Sequence, residues 1–320
     1  MSQSYEPISV LIPIKNGSQY LDQFKNTMTS NLRDFDEIIA VNDGSTDSTT
    51  DFLNNWKVSS SNVKVLQTSG IGLVSSLNLG LKHSSHKWIA RFDIDDSYEN
   101  DRINVQRELI KSDKVAIFSD YDFIDEHGSK YGLLTSPILP SPTAISLVNS
   151  VRTPHPVVLF NKEAVMNVGG YREEDFPAED LSLWLRLAKV GKITSAPNCL
   201  LHYRIRKGSI SSSKRVQAFQ KKYEVLKKIS IQEQDFIYCL ENIKEIFEIY
   251  EKYAKSEQRK ILLIQDLLVT NRFFGDNKKN KVKIISHGIA LARNPANIKE
   301  LFVLNHEKNK RFKLRQSFID

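Results

Sequence analysis

Apolar runs that end in acidic or amide residues, each followed by a stretch with helical spacing, recur through the first hundred residues. Residues 8–14 form the first run and close on Lys15, Asn16 and Gly17. Residues 37–42 form the second and close on Asp43 and Gly44. Residues 63–67 form a third, before Gly70 and Gly72, and residues 87–92 a fourth, ending at Asp93. Short continuous apolar runs bounded by turn residues read as strands buried on both faces. The intervening stretches 18–31, 47–57 and 73–83 read as helices. Strands joined by helices run parallel, because a long crossover returns the chain to the same end of the sheet. The expected fold is α/β: a Rossmann-like, mixed, mainly parallel sheet flanked by helices, with a helical C-terminal region. Ligands bind such sheets at the carboxyl ends of the strands. Asn16, Asp43 and the cluster Asp93, Asp95, Asp96 all fall there.

Past residue 100 the pattern loosens. Residues 115–124 read as a strand, 136–142 as a proline-rich loop, and 157–160 as a short strand after His155 and Pro156. Residues 179–189 have helical spacing, with Leu181, Trp184, Leu185 and Ala188 on one face and Gly191 beyond the end. A serine-rich stretch, 209–213, precedes a change of composition. Residues 1–213 carry 22 basic and 25 acidic side chains, whereas residues 214–320 carry 23 and 13. A boundary is expected near 213, between a 1–213 domain and a basic helical region, 214–320. The tail is densest in charge at Lys278, Lys279, Lys281 and Lys283, and again from Lys308 to Arg315. Such asymmetry points to an anionic partner, lipid headgroups or nucleic acid, or to a solvated basic helix face.

Two cysteines, Cys199 and Cys239, rule out a disulfide framework and fit a reducing compartment. No export signal is expected from the opening residues, and no apolar run approaches the roughly 18 residues of a membrane span. Glycine-rich phosphate loops of the dinucleotide-binding and P-loop types are missing, which argues against NAD enzymes and P-loop ATPases.

Three carboxylates within four residues at a strand end repel each other and call for a compensating cation. An all-oxygen set suits Mg²⁺ or Mn²⁺. The competing reading is an acidic turn that caps the next helix. Asp43 would accept from a ribose hydroxyl or a base N–H, although Asn42-Asp43-Gly44-Ser45 is also an ordinary turn. Glu179 and Asp180 begin a helix, where acidic residues are favoured by the dipole. The functional reading makes Asp180 a general base. His202, Arg204, Arg206 and Lys207 would hold a diphosphate, or would be a solvated basic loop. His155, between two prolines, reads equally as structural or functional.

In order along residues 8–213, these pieces resemble a family 2 glycosyltransferase of the GT-A fold. The first strand with its Pro13 and Asn16 turn, the Asp-Gly-Ser turn at Asp43, the Asp93-Ile94-Asp95 motif, the Glu179-Asp180 pair and the Tyr203-Arg204 segment carry the resemblance. The closest likeness is to bacterial enzymes that build O-antigen, capsule or other surface polysaccharides. The resemblance implies that Pro13, Asn16 and Asp43 line the nucleotide pocket of a UDP-sugar. Asp93 would lie near the ribose, and Asp95 would hold the divalent metal, Mn²⁺ or Mg²⁺, with Asp96 beside it. Relatives carry an Arg in the helix before this motif; here that stretch reads Val74-Ser75-Ser76-Leu77-Asn78, and Arg91 would supply the charge. Where relatives have a proline after the motif, this chain has Ser97-Tyr98-Glu99-Asn100. Asp180 would be the catalytic base, with Glu179, His155 and Trp184 on the acceptor side. His202, Tyr203 and Arg204 would close over the diphosphate.

The reaction so implied is a single inverting displacement, metal-dependent, onto a hydroxyl of a glycan or polyprenyl-diphosphate-linked acceptor. The protein would then be cytoplasmic, and peripheral on the inner face of the plasma membrane through its basic region. Nucleic acid is the poorer partner, because acidic clusters at three strand ends would repel phosphate. The alternatives are a nucleotidyltransferase making nucleotide-sugars and a non-catalytic nucleotide-sugar-binding module. The first would want a glycine-rich loop after the first strand, and the second would not need Asp180.

Overall fold

A computed structural model describes residues 6–130 and 153–206, with positions 209, 214, 217, 218, 221, 224 and 225 beyond them. The four leading runs form β1 (Ile8–Ile14), β2 (Glu37–Asp43), β3 (Val63–Thr68) and β4 (Trp88–Arg91). Between them lie α1 (Ser18–Asn31), α2 (Thr49–Ser59) and α3 (Leu73–His83). The second half supplies β5 (Ser97–Tyr98), α4 (Arg102–Glu108), β6 (Lys114–Ile124), β7 (Leu159–Asn161), α5 (Lys162–Asn167), α6 (Glu179–Leu187) and β8 (Lys192–Arg204).

Among the described residues these strands make one sheet, in the order β3-β2-β1-β4-β7-β6-β8-β5. The pairs β1–β2, β2–β3, β1–β4 and β6–β8 are parallel. The pairs β4–β7, β6–β7 and β5–β8 are antiparallel. The sheet is therefore mixed and mainly parallel, as expected, with the change of direction at β7.

Burial follows the apolar pattern. Every residue of β2 is buried, and β1 is buried except at Pro13, which is half-buried; β3, at the edge, is only partly covered. Leu21, Phe24 and Met28 of α1 join the core, with Phe24 edge-on to Phe92 at 5.8 Å. Helix α3 lies close on the sheet because position 80 is glycine: a Cβ there would stand 2.1 Å from Leu11 Cδ1.

Sequence reasoning passed over β5, α4, α5 and β8. In α4 the buried residues include Arg102, Gln106 and Arg107, so apolar periodicity carries no signal. Arg102 is fully buried, with its guanidinium 3.6 Å from the Phe92 ring and Nη2 donating to the Arg91 carbonyl at 2.7 Å. Arg107 pairs with buried Asp36 at 2.5 Å, and Asp36 also accepts from the Ile8 and Arg33 amides. That carboxylate ties α4 to the head of β1. In β8 polar residues interrupt the apolar ones, and register shifts break strict alternation. The loop expected at 136–142, the boundary near 213 and the basic clusters from Lys278 onward lie outside the described residues. Among those described, no helix is long and apolar enough to cross a membrane.

Candidate active site

The carboxyl ends of β1, β2 and β3 are bound to one another by side chains. Asn16 has φ 51°, in the left-handed region that asparagine tolerates. Its amide donates to Ser45 Oγ at 2.9 Å, and its Oδ1 accepts from the Thr46 amide at 2.8 Å. Asp47 accepts from the Ser18 and Thr49 amides, the first residues of α1 and α2. Pro13 lies opposite Val41 on β2. Asp43 ends β2, 5% exposed. Its Oδ1 accepts from Thr68 Oγ1 at 2.8 Å and the Ile71 amide at 2.6 Å, and its Oδ2 from the Gly72 amide at 3.0 Å. Burial opposes ionisation, but these hydrogen bonds outweigh it and hold the carboxyl below its usual range. Gly44 follows at φ +68°, where a Cβ would come within 2.9 Å of the Gly70 nitrogen.

The acidic loop leaves β4 at Arg91. This side chain is 3% exposed and forms an ion pair with Asp93. Tyr98 hooks the loop, since its hydroxyl accepts from the Asp93 amide at 2.8 Å and donates to the Asp93 carbonyl at 3.0 Å. The end of β8 braces the other side. Arg204 Nε donates to the Asp95 carbonyl at 2.6 Å, and the Arg204 amide donates to Asp96 Oδ1 at 2.8 Å. Arg206 Nε donates to Asp95 Oδ2 at 2.7 Å. One carboxylate oxygen from each of Asp93, Asp95 and Asp96 lies within 4.8 Å of the other two. Burial, then the charges of Asp95 and Asp93, push Asp96 well above the usual carboxylate range. Asp93 is raised by burial, with Arg91 opposing and Asp95 adding. Asp96 Oδ2 is buried and has no hydrogen-bond partner. An all-oxygen donor set with one buried, unpartnered oxygen fits a hard divalent cation, whose charge would reverse these shifts.

Glu179 and Asp180 open α6. Glu179 is 6% exposed and its Oε2 lacks a hydrogen-bond partner. Burial, then the charge of Asp180, push it up to about 8. Asp180 is half-buried and its Oδ1 accepts from the Leu181 amide at 2.7 Å. The charge of Arg91 acts on Asp93, His155, Tyr171 and Glu179 alike. The acidic loop and the start of α6 thus share the field of one buried guanidinium.

His155 is buried, with Nε2 2.7 Å from the Tyr171 hydroxyl, and burial holds it well below its ordinary value. Trp184 is fully buried, edge-on to Phe118 at 5.1 Å and to His155 at 5.8 Å. Trp184, expected on the acceptor side, has its indole in the core against Phe118 and His155, with Nε1 buried and without a hydrogen-bond partner. The expected closure over a diphosphate also looks different in three dimensions. His202 lies between Asp122 and Glu99, and Tyr203 is edge-on to Phe123 at 6.1 Å. Arg204 donates to the carbonyls of Asp95, Asp125 and Glu126. Arg204 thus braces the loop through carbonyl oxygens, whereas Arg206 meets the Asp95 carboxylate itself.

One site element escaped the sequence. Asn78 of α3 donates to the Tyr171 carbonyl at 2.8 Å and accepts from its amide at 3.0 Å, while Ser75 donates to Glu173 at 2.6 Å. Helix α3 thus clamps the segment leading to α6, and the available signal was the pair of polar residues at 75 and 78, three apart and so on one side of the helix.

The model of the family described as "Glycosyl transferase family 2" matches residues 9–168. The amylovoran biosynthesis glycosyltransferase AmsE of Erwinia amylovora is 30% identical over 215 residues, 65% of this chain and 79% of that protein. The UDP-Gal:alpha-D-GlcNAc-diphosphoundecaprenol beta-1,3-galactosyltransferase of Escherichia coli is 30% identical, over 58% of this chain and 69% of that one. Among solved structures, S. aureus TarS 1–349 in complex with UDP-GlcNAc aligns with a TM-score of 0.62 at 14% identity, covering 95% of this chain and 92% of the other. The mannosyltransferase PcManGT from Pyrobaculum calidifontis, in complex with GDP-Man and Mn²⁺, aligns with a TM-score of 0.59 at 15% identity, covering 94% and 84%. These structural likenesses concern the fold.

Proposed function

Since the chain belongs to glycosyl transferase family 2, we propose that it moves a sugar from a UDP-sugar to a hydroxyl of a lipid-diphosphate-linked glycan, with inversion, in building a bacterial surface polysaccharide. The observation that supports this reading is the carboxylate cluster of Asp93, Asp95 and Asp96 at the end of β4, within 4.8 Å of one another and with Asp96 Oδ2 unpartnered. In this reading the acidic loop binds the leaving diphosphate and Asp180 of α6 is the base.

Asp43 is kept ionised at the end of β2, suited to accept a base N–H, with Pro13 and Asn16 beside it. Asp95 would hold the divalent cation, with Asp93 and Asp96 next to it. When bound, Mn²⁺ or Mg²⁺ supplies Lewis-acid stabilisation of the departing diphosphate. Arg206, released from Asp95, is the side chain placed to add a second positive charge there. Of the adjacent acids on α6, Glu179 is the one biased to the neutral form. The half-exposed Asp180 takes the proton from the acceptor hydroxyl as its oxygen attacks the anomeric carbon. One attacking oxygen and one displaced diphosphate give inversion. His155, held by Tyr171 and Trp184, positions the floor of the acceptor side.

The basic residues 214–320 are proposed to rest on anionic lipid beside such an acceptor, each charge near the surface contributing about 1 kcal/mol. The test is a UDP-release assay across UDP-sugars, with a GlcNAc-diphospholipid as acceptor. Acceptor-dependent UDP release, and a product of inverted configuration by NMR, support the reading. Nucleotide-sugar synthesis from a sugar phosphate and UTP would replace it.

A further inference from the structure

Away from the cleft, one corner of the sheet collects the side chains that zinc prefers. Asp122 on β6 and Cys199 and His202 on β8 each offer one ligand atom, all within 4.8 Å of one another. Plain alternation would place residues 199 and 202 on opposite faces of β8, since side chains alternate with a period of two. A bulge corrects this. Asp120 pairs with Cys199 but Tyr121 pairs with Leu201, so Leu200 is the extra residue. Bulges re-aim side chains in this way. Cys199 thereby shares a face with Asp120 and Asp122, and His202 lies across from Asp122.

The imidazole of His202 supplies an independent argument. Its Nδ1 is 2.5 Å from Asp122 Oδ1 and its Nε2 is 3.0 Å from Glu99 Oε1. A neutral ring has one N–H, so one lone pair would face a carboxylate. One cation satisfies both carboxylates, either a second proton on the ring or a metal ion. Lys130, 57% exposed and 3.8 Å from Asp122, supplies little of that charge. A metal ion at Nδ1 would take the place of that direct contact between Nδ1 and Asp122, with Asp122 and the ring moving apart to ligate it. The remaining N–H then points at Glu99, the arrangement that orients metal-bound histidines. Cys199 narrows the choice of metal, because thiolate with imidazole and carboxylate suits Zn²⁺ and not Mg²⁺.

We propose that Asp122, Cys199 and His202 form a three-ligand Zn²⁺ site, with Glu99 as the positioning residue for the histidine and solvent at the fourth position. The ion would pin β8 to β6 just before Arg204 and Arg206 reach the acidic loop.

The test is zinc content and Co²⁺ spectroscopy on the full chain, purified without chelator. Asp95→Asn serves as background, to remove the acidic loop's own affinity for cations. The expected results are about one zinc per chain and a sulfur-to-cobalt charge-transfer band on Co²⁺ exchange. Cys199→Ser loses the band and Cys239→Ser keeps it. Glu99→Gln weakens Zn²⁺ affinity by about 10- to 100-fold. Zinc is also expected to raise the melting temperature by roughly 5 °C or more in Asp95→Asn but not with Cys199→Ser added. Equal melting temperatures of the two in chelator show that the serine variant folds. No zinc in the background protein, or a band lost with Cys239 and kept without Cys199, would overturn the proposal.

Discussion

At position 179 burial and charge act in the same direction. Below about 4.5 the Glu179 carboxyl is protonated in both the folded and the unfolded chain. Between about 4.5 and about 8 the folded chain keeps a proton that the unfolded chain has lost, so this group's contribution to stability falls as pH rises through that window. Glu179→Gln, neutral throughout, is predicted to flatten that fall. Melting temperatures of both proteins across the window check it, and parallel curves would remove Glu179 as the cause. Its neighbour makes a different prediction. Asp180→Asn is expected to lower transfer by about 100- to 10,000-fold and to leave UDP affinity unchanged. A turnover assay beside calorimetric UDP titration separates the two effects, and wild-type turnover would end the role of Asp180 as base.

At the scale of elements, the turns carry the site and two of their devices can be tested. Gly44 holds φ +68° within reach of the Gly70 backbone. Gly44→Ala is predicted to cost at least about 1 kcal/mol from the left-handed backbone alone. It should also weaken UDP binding, because the β2 and β3 turns would have to part. Asp36→Ala removes the acceptor of buried Arg107 and of two amides, and is expected to cost about 3–5 kcal/mol in urea unfolding. A loss below 1 kcal/mol would show that the pair contributes nothing beyond its own desolvation. Strands β1, β2 and β4 were legible because their apolar runs end at Asn16, Asp43 and Asp93, and β3 because Val63, Val65 and Leu66 precede Gly70 and Gly72. Helix α4 was illegible for the opposite reason: it buries Arg102, Gln106 and Arg107, whose partners are carbonyls and a carboxylate contributed by distant residues. The same limit applies to Trp184. Helical spacing shows that it shares a face with Leu181 and Leu185, but only packing shows that this face is core.

At the scale of the molecule, charge is divided along the chain. The acidic half includes the described sheet and its cleft, and the basic residues 214–320 carry the proposed membrane contact. Co-sedimentation with vesicles is expected to rise with anionic lipid and to fall as salt screens the surface. Binding indifferent to lipid charge would remove that contact. The candidate site was readable in its acids, because their positions at strand ends follow from topology. Its cations were less readable, because Arg204 and Arg206 are two residues apart in sequence and only the fold distinguishes the brace from the side chain on Asp95. The central claim is that Asp43 and the acidic loop together hold a UDP-sugar through a divalent cation. It is tested most directly by thermal unfolding with UDP, in Mn²⁺ and in EDTA, for wild type and Asp95→Asn. UDP is predicted to raise the wild-type melting temperature in Mn²⁺ only, and Asp95→Asn to lose the increase. A UDP shift of equal size in EDTA, or none in either condition, would contradict it.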